Sequence, residues 1–378
     1  MSLPLALPGG HDNTMTVSNA EKNLLLAQDN AAAHLQYDLQ HEVRDVFEVQ
    51  GVATSGSKTP AFEFHGRLLI APDAALTTVE ERFHPFGYTP FLHRKDDTDL
   101  LSAVPGIAEA GRQRVWINVV LAIATLFTTM LAGAQLAGAN VMRNPVSILE
   151  GLPFALTLMV ILGSHELGHY FMGRWHKVRV TLPYFIPVPA FLGTFGAFIQ
   201  MRSPIRNRAQ LFDVGFAGPI VGFVVALPLL IIGLLLPPVG SPYLRVGDSL
   251  LTGFLSQLLR PELVGLGHGL NPVALAAYFG ILLTGVNLLP AGQLDGGHIA
   301  YAIFGRAARP LGFVVIAGLL VMGTLFWRGW YLWAGLIFFT GLRHPSPLDE
   351  ITPVDTARRI IGVGAFVLLL LTFIPVPN

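Results

Sequence analysis

From residue 115 to residue 374 the sequence is a succession of apolar runs long enough to cross a lipid bilayer, and no other feature constrains its fold as severely. A helix needs about 20 apolar residues to span the hydrocarbon core. Backbone at that depth must satisfy its own polar groups, which leaves helices and closed barrels. The runs cover residues 115–136, 151–170, 214–237, 272–290, 310–327, 329–342 and 360–374. The last two are short, which sets a range of five to seven crossings with six to seven expected. Composition agrees: 52% of the residues are hydrophobic and 13% charged, where a soluble protein carries charge on about a quarter. Lys+Arg and Asp+Glu balance at 24 each, so bulk charge offers nothing to a nucleic acid. With no cysteine, disulfides, thiolate metal sites and a cysteine nucleophile are excluded.

Between the second and third runs, residues 180–201 are apolar but interrupted by Pro183, Pro187, Pro189, Gly193 and Gly196. Proline removes backbone donors and clashes with the preceding turn, so this segment is not one helix. It is expected as a short β-like piece embedded in the membrane and shielded by protein. Residues 1–30 are polar and expected to be disordered or loosely helical, without the basic and apolar regions of a signal peptide. Residues 31–114 read as a small soluble α+β domain, with strands expected over 61–70 and 88–93 and a helix over 74–83. The membrane domain then fills 115–378, its core at about 148–300. The fold class expected is therefore an all-α polytopic membrane protein with a small amino-terminal α+β domain. Lys and Arg concentrate between alternate runs (Arg174, Lys177, Arg179, Arg202, Arg206, Arg208, Arg306, Arg309, Arg358, Arg359), which puts the amino terminus inside.

The second run ends in Ser164-His165-Glu166-Leu167-Gly168-His169. Histidines four apart stand one above the other on a helix face, so both imidazoles reach one ion. Zinc suits such a pair, and a catalytic zinc keeps a position open for water. Glu166 lies beside the metal without ligating it and is placed to take a proton from that water. A harmless surface helix is the alternative, but ionisable groups near membrane depth default to function. A third ligand is needed at the same level. Asp295 follows the fourth run at its inner end, where the second run also ends; a plain Asp-Gly turn or helix cap is the alternative. For His298 a site role and a polar position beyond the helix are both open.

These residues carry a resemblance. His165-Glu166-Leu167-Gly168-His169 and Asn287-x-x-Pro290-x-x-x-Leu294-Asp295-Gly296 resemble the two signature motifs of the site-2 protease family of intramembrane zinc metalloproteases. FLGTFGAFI at 191–199 and FDVGFAGPIVGF at 212–223 fit the branch with the plant chloroplast EGY-type proteins and their bacterial relatives. The likeness covers roughly residues 115–355. It implies one zinc per chain on His165, His169 and Asp295, with Glu166 as general base. It also implies a core of the runs at 151–170, 214–237 and 272–290 and a transmembrane protein as substrate; the expected location is a bacterial inner membrane, with the amino terminus cytoplasmic on the Lys/Arg bias. Many members insert a PDZ domain, for which no segment here is long enough; the amino-terminal domain is the candidate substitute.

A transmembrane helix must unwind before its carbonyls can be attacked. Gly193 and Gly196 lie in a stretch suited to strand addition with such a substrate, tight helix approach being the alternative. Asn287 is placed to steady the substrate backbone or an oxyanion, with a buried interhelical contact as its alternative. Asp213 and the glycines of 215–222 read as helix packing. His176, His268 and Arg174 read as interfacial, His344 and Asp349 as parts of a polar turn, and Trp327, Trp330, Tyr331 and Trp333 as an aromatic belt. Two readings from other classes compete: a zinc or cation transporter, and a catalytically idle membrane scaffold. The apolar outer halves of the second, third and fourth runs oppose the first, and an intact Glu166 the second.

Overall fold

The computed structural model describes residues 19–56, 59–107, 113–190, 192–238, 247–261, 270–340 and 345–373. The chain clusters into two compact units, residues 1–90 with 94–107, and residues 91–93 with 108–378.

In the first unit a helix α1 (Asn19–Glu42) precedes a strand β1 (Phe47–Ser55), so regular structure runs across the expected border at residue 30; residues 1–18 of that stretch lie outside the described residues. Strands β2 (Ala61–Leu68), β3 (Tyr88–Lys95) and β4 (Thr98–Pro105) complete a four-stranded sheet of order β1-β2-β4-β3, with α2 (Pro72–Phe83) between β2 and β3. Alternation decides the sheet's faces: Phe62, Phe64 and Gly66 of β2 turn inward while their neighbours are only half-buried. Leu39, Val43, Phe47, Leu76, Val79 and Phe83 fill the same core. Asp96 and Asp97, with φ of 47° and 60°, make the left-handed two-residue turn that a twisted hairpin requires. β1 and β4 are absent from the sequence reading, because FEVQGVATS and TDLLSAVP carry too few bulky apolar residues to stand out.

The second unit is helical. Four stretches are long and apolar enough to cross a membrane: α3 (Val115–Leu136), residues 145–175 with α4 (Leu152–Trp175), α5 (Arg208–Leu235), and residues 295–325. The fourth consists of α8 (Asp295–Phe304) and α9 (Arg309–Leu325), parted at Gly305, whose φ of 59° no α-helix accommodates. Shorter helices are α6 (Leu250–Leu259), α7 (Pro272–Asn287), α10 (Trp330–Thr340) and α11 (Thr356–Thr372). The proline-broken segment is a hairpin, β5 (Tyr184–Pro187) paired antiparallel with β6 (Thr194–Phe198). Asn118 of α3 fixes its approach by donating from Nδ2 to the carbonyls of Leu182 and Pro183, each at 2.9 Å.

Close packing of α4, α5 and α7 makes the centre of this unit, with small residues at the contacts. A Cβ on Gly168 would lie 2.5 Å from the Ala217 carbonyl oxygen, and one on Gly280 would lie 2.8 Å from Ile161. One member of the tryptophan cluster departs from the expected belt. Trp330 is fully buried, set edge-on to Trp327 at 5.7 Å and stacked on Phe373 at 5.0 Å, so it is a core residue joining α10 to α11.

Candidate metal centre

Helix α4 carries His165 and His169 on one face, with ring centroids 4.9 Å apart and planes at 72°. Across from them α5 presents Gly215, Gly218 and Gly222. A Cβ on Gly218 would overlap the His169 ring; one on Gly222 would lie 3.1 Å from His165 Nδ1, and one on Gly215 2.8 Å from the His298 Cβ. These glycines, expected simply to pack helices, leave the space that the imidazoles occupy. The signal was in the sequence as FDVGFAGPIVGF, whose small residues recur at helical spacing; what lay opposite them was not.

The third side comes from the link between α7 and α8. Hydrogen bonds from Leu289 N to Val286 O, Ala291 N to Leu289 O and Leu294 N to Ala291 O fold residues 286–294 into consecutive turns. Asp295 thereby becomes the first residue of α8. Both glycines after it are sterically required: a Cβ on Gly296 would lie 2.6 Å from Leu289 O, and one on Gly297 would lie 2.8 Å from Ala291 O. The Asp-Gly pair is thus a helix start, and it also directs a carboxylate back toward the histidines.

His165 Nε2 lies 3.2 Å from Asp295 Oδ2 and 3.2 Å from His169 Nε2, and His169 Nε2 lies 3.3 Å from Asp295 Oδ1. Bonds of 2.0–2.1 Å to a tetrahedral zinc put neighbouring ligand atoms about 3.3 Å apart, so the spacing matches three corners of such a site. His169 Nδ1 sits 2.7 Å from the Val214 carbonyl oxygen, which can only accept. The proton is therefore on Nδ1, and Nε2 keeps its lone pair for an ion, the orientation that metal-ligating histidines share. His165, Glu166 and His169 are all buried, and these two histidines with Asp295 are a group able to hold a metal ion. The donor set fits zinc.

The Ile199 backbone, just beyond β6, comes near the Glu166 carboxylate, so the hairpin reaches the residue expected as general base. Asn287 Nδ2 lies 3.3 Å from His165 Nε2, at the edge of the same group. His298 is buried one turn after Asp295 but lies outside the three-residue group. The two hairpin glycines part company. A Cβ on Gly193 would lie 2.5 Å from the Thr128 carbonyl oxygen, so Gly193 allows close approach to α3, and Thr128 Oγ1 donates to its carbonyl at 2.6 Å. Gly196, with φ of 99°, is buried and donates its amide to Thr194 Oγ1 at 3.0 Å, but a Cβ there would meet nothing within 4 Å.

Asp213 departs from its expected role. Asp213 is no packing residue: its carboxylate binds Arg358 of α11 and His176 at the end of α4. Asp349 forms the expected turn, accepting the amides of Ile351 and Thr352 at 2.8 and 3.0 Å. His268 and His344 lie outside the described residues.

Membrane-length helices around a His-Glu-x-x-His helix and a facing aspartate define a polytopic membrane protein with a metal centre of the metallopeptidase kind. The chain carries a domain of peptidase family M50, matched over residues 153–326. Among curated proteins it is similar to the probable zinc metalloprotease EGY2, chloroplastic, of rice (Oryza sativa subsp. indica), 34% identical over 266 residues, which is 68% of this chain and 49% of that protein. The Arabidopsis thaliana EGY2 is 34% identical over 267 residues (68% and 48%), and the Arabidopsis EGY1 33% identical over 243 residues (60% and 43%). The chain thus spans about half the length of the relatives it matches. No solved structure gives a significant match.

Proposed function

We propose that this protein is an intramembrane zinc metalloprotease that hydrolyses peptide bonds within or beside transmembrane segments of other membrane proteins. The observation that carries the reading is the convergence of His165, His169 and Asp295 at zinc-ligand spacing beside the buried Glu166. His165, His169 and Asp295 would hold the ion, one per chain. Zinc bound there supplies a Lewis acid that polarises a peptide carbonyl and makes water a better nucleophile. Glu166 takes the proton as the water oxygen attacks the carbonyl carbon, then delivers it to the leaving nitrogen when the C–N bond breaks. Asn287, with its amide nitrogen at the edge of the site, offers a donor to the developing oxyanion.

The substrate is read as a locally unwound transmembrane segment, because β6 pairs on one side with β5 and no other described strand covers its second edge. Backbone hydrogen bonds to that edge would replace those lost on unwinding. We extend the four long helices to seven crossings. Arg306, before α9, pairs with Glu350 at 2.9 Å, so the chain returns to the level it left after passing through α9 and α10. The Lys/Arg bias supports an amino terminus on the cytoplasmic side, and we take the membrane as a bacterial inner membrane, although the relatives named above are chloroplastic. The soluble domain before residue 115 is assigned to substrate choice and the remainder to chemistry.

Replacing Glu166 with Gln tests this most directly. The variant should retain zinc and lose cleavage of a membrane-embedded reporter. Cleavage at the wild-type rate would remove Glu166 from the mechanism, and a wild-type protein that carries no zinc would remove the reading altogether.

A further inference from the structure

Three helices meet at one carboxylate outside the metal centre. Asp213, in the second turn of α5, accepts a two-pronged hydrogen bond from Arg358 of α11, from Nε at 2.7 Å and from Nη2 at 2.6 Å. His176, which closes α4, places Nε2 2.8 Å from the same carboxylate. Arg358 is itself held by Asp355, the residue that caps α11. Planar pairing of guanidinium and carboxylate fixes angle as well as distance, so the cluster sets how α5 is turned and how high it stands against α4.

The position of this tie matters more than its existence. Asp213 is adjacent to Val214, whose carbonyl receives the Nδ1 proton of His169 at 2.7 Å. On its other side Phe212 is buried against α11, where a Cβ on Gly362 would lie 3.2 Å from the ring. His176 lies two helical turns beyond His169 on the same face of α4. Three consecutive residues of α5 thus meet, in order, the brace helix α11, the charge cluster and the imidazole. A hydrogen bond tolerates only a few tenths of an ångström. One residue of slippage along a helix is about 1.5 Å of rise and 100° of rotation.

We propose that Asp213, Arg358 and His176 are positioning residues for the metal centre. They fix α5 so that the Val214 carbonyl meets His169 Nδ1 and Nε2 is left facing the ion. The inference rests on the zinc reading above and deepens it, since it makes α11, outside the His-His-Asp group, part of what shapes the centre. A tie that merely stabilised the bundle would leave the ligand geometry unchanged when weakened.

The test uses the full-length protein in lipid nanodiscs with Arg358→Gln and Arg358→Lys, and Arg359→Gln as the charge control. Zinc affinity is read by chelator competition, and ligand geometry by the visible absorption of the cobalt-substituted protein. Arg358→Gln should weaken zinc binding about 10- to 100-fold, the range typical of lost outer partners, and alter the cobalt spectrum. Arg358→Lys, which keeps the charge and loses the fork, should fall between Gln and wild type, and Arg359→Gln should match wild type. With a peptide substrate at saturating zinc, kcat should fall while KM holds. Wild-type zinc affinity and cobalt spectrum in both Arg358 variants would overturn the proposal, whatever happens to thermal stability. If the Gln variant does not fold, the Lys variant decides alone. Wild-type protein without zinc would defeat the proteolytic reading and this inference together, whereas intact zinc binding with unaffected variants defeats only this one.

Discussion

A Cβ at position 218 would intrude into the ring of His169, whereas at position 222 it would lie 3.1 Å from His165, close enough to need only a small shift. Gly→Ala inside a helix is otherwise favourable by roughly 0.5–1 kcal/mol, so loss of metal and loss of stability should separate. Gly218→Ala is expected to abolish zinc retention and cleavage in a folded protein, Gly222→Ala to reduce both partly, and Gly318→Ala, which meets nothing within 4 Å, to change neither. Metal analysis beside thermal unfolding checks the order. At the edge of the bundle, burial pushes the Glu350 carboxyl from 4.5 up to about 7, with the Arg208 charge working against the rise. Tyr301 donates to it and Arg306 pairs with it. The folded protein thus holds this proton more tightly than the unfolded chain, and the linked stabilisation is full below about 4.5 and lost as pH rises through about 7. Unfolding temperature should fall across that window in the wild type, and Glu350→Gln should flatten the fall; an unchanged slope in the variant would assign the dependence elsewhere. His165, His169 and Glu166 were legible because their spacing is local. The partners of Asp213 stand 37 and 145 residues away, and nothing local announces them.

Hairpin β5–β6 shows how an element can be anticipated while its parts are not. Prolines and glycines excluded a helix, yet they left Gly193 and Gly196 indistinguishable. The difference is tertiary: a Cβ on Gly193 would run into the α3 backbone, and one on Gly196 would meet nothing within 4 Å. Gly193→Ala should therefore lower the thermal stability of the protein and impair all activity, because the hairpin can no longer seat on Thr128 and Thr129. Gly196→Val should leave zinc bound, with a stability cost from a β-branched residue at φ of 99°, while cleavage of transmembrane substrates falls sharply at a closed strand edge. Equal behaviour of the two variants in both measurements would remove strand addition from the proposal. Helix α8 was the element least foreseen. Leu294-Asp295-Gly296-Gly297 reads locally as a turn or a helix cap, and the carbonyls of Leu288, Leu289 and Ala291 packed against its glycines go with the helix start.

For the molecule as a whole, the apolar runs announced a polytopic bundle, and the order of the helices follows them. Run length alone did not show how short the helix of the fourth run is. Helix α7 has 16 residues, which makes it about 24 Å long, about 6 Å short of a typical hydrocarbon core. Shortness in a lipid-facing helix would pinch the bilayer, but α7 is enclosed: Ala274, Ala276, Ala277, Ile281 and Val286 are all fully buried. The deficit is therefore taken up inside the protein. If α7 crosses the membrane as proposed, the chain turns at residues 288–294 short of the surface; Gln293 on that turn is exposed. The absence of native cysteine allows a direct check: Gln293→Cys should react with a membrane-impermeant thiol reagent from the cytoplasmic side and not from the other. A hydrolytic reaction set among lipid tails meets a supply problem, since bulk solvent is scarce where the bond is cut. On the proposed reading, a truncated central helix would turn that problem into a matter of topography, with the aqueous boundary dented inward toward the reacting atoms and the lipid left undisturbed.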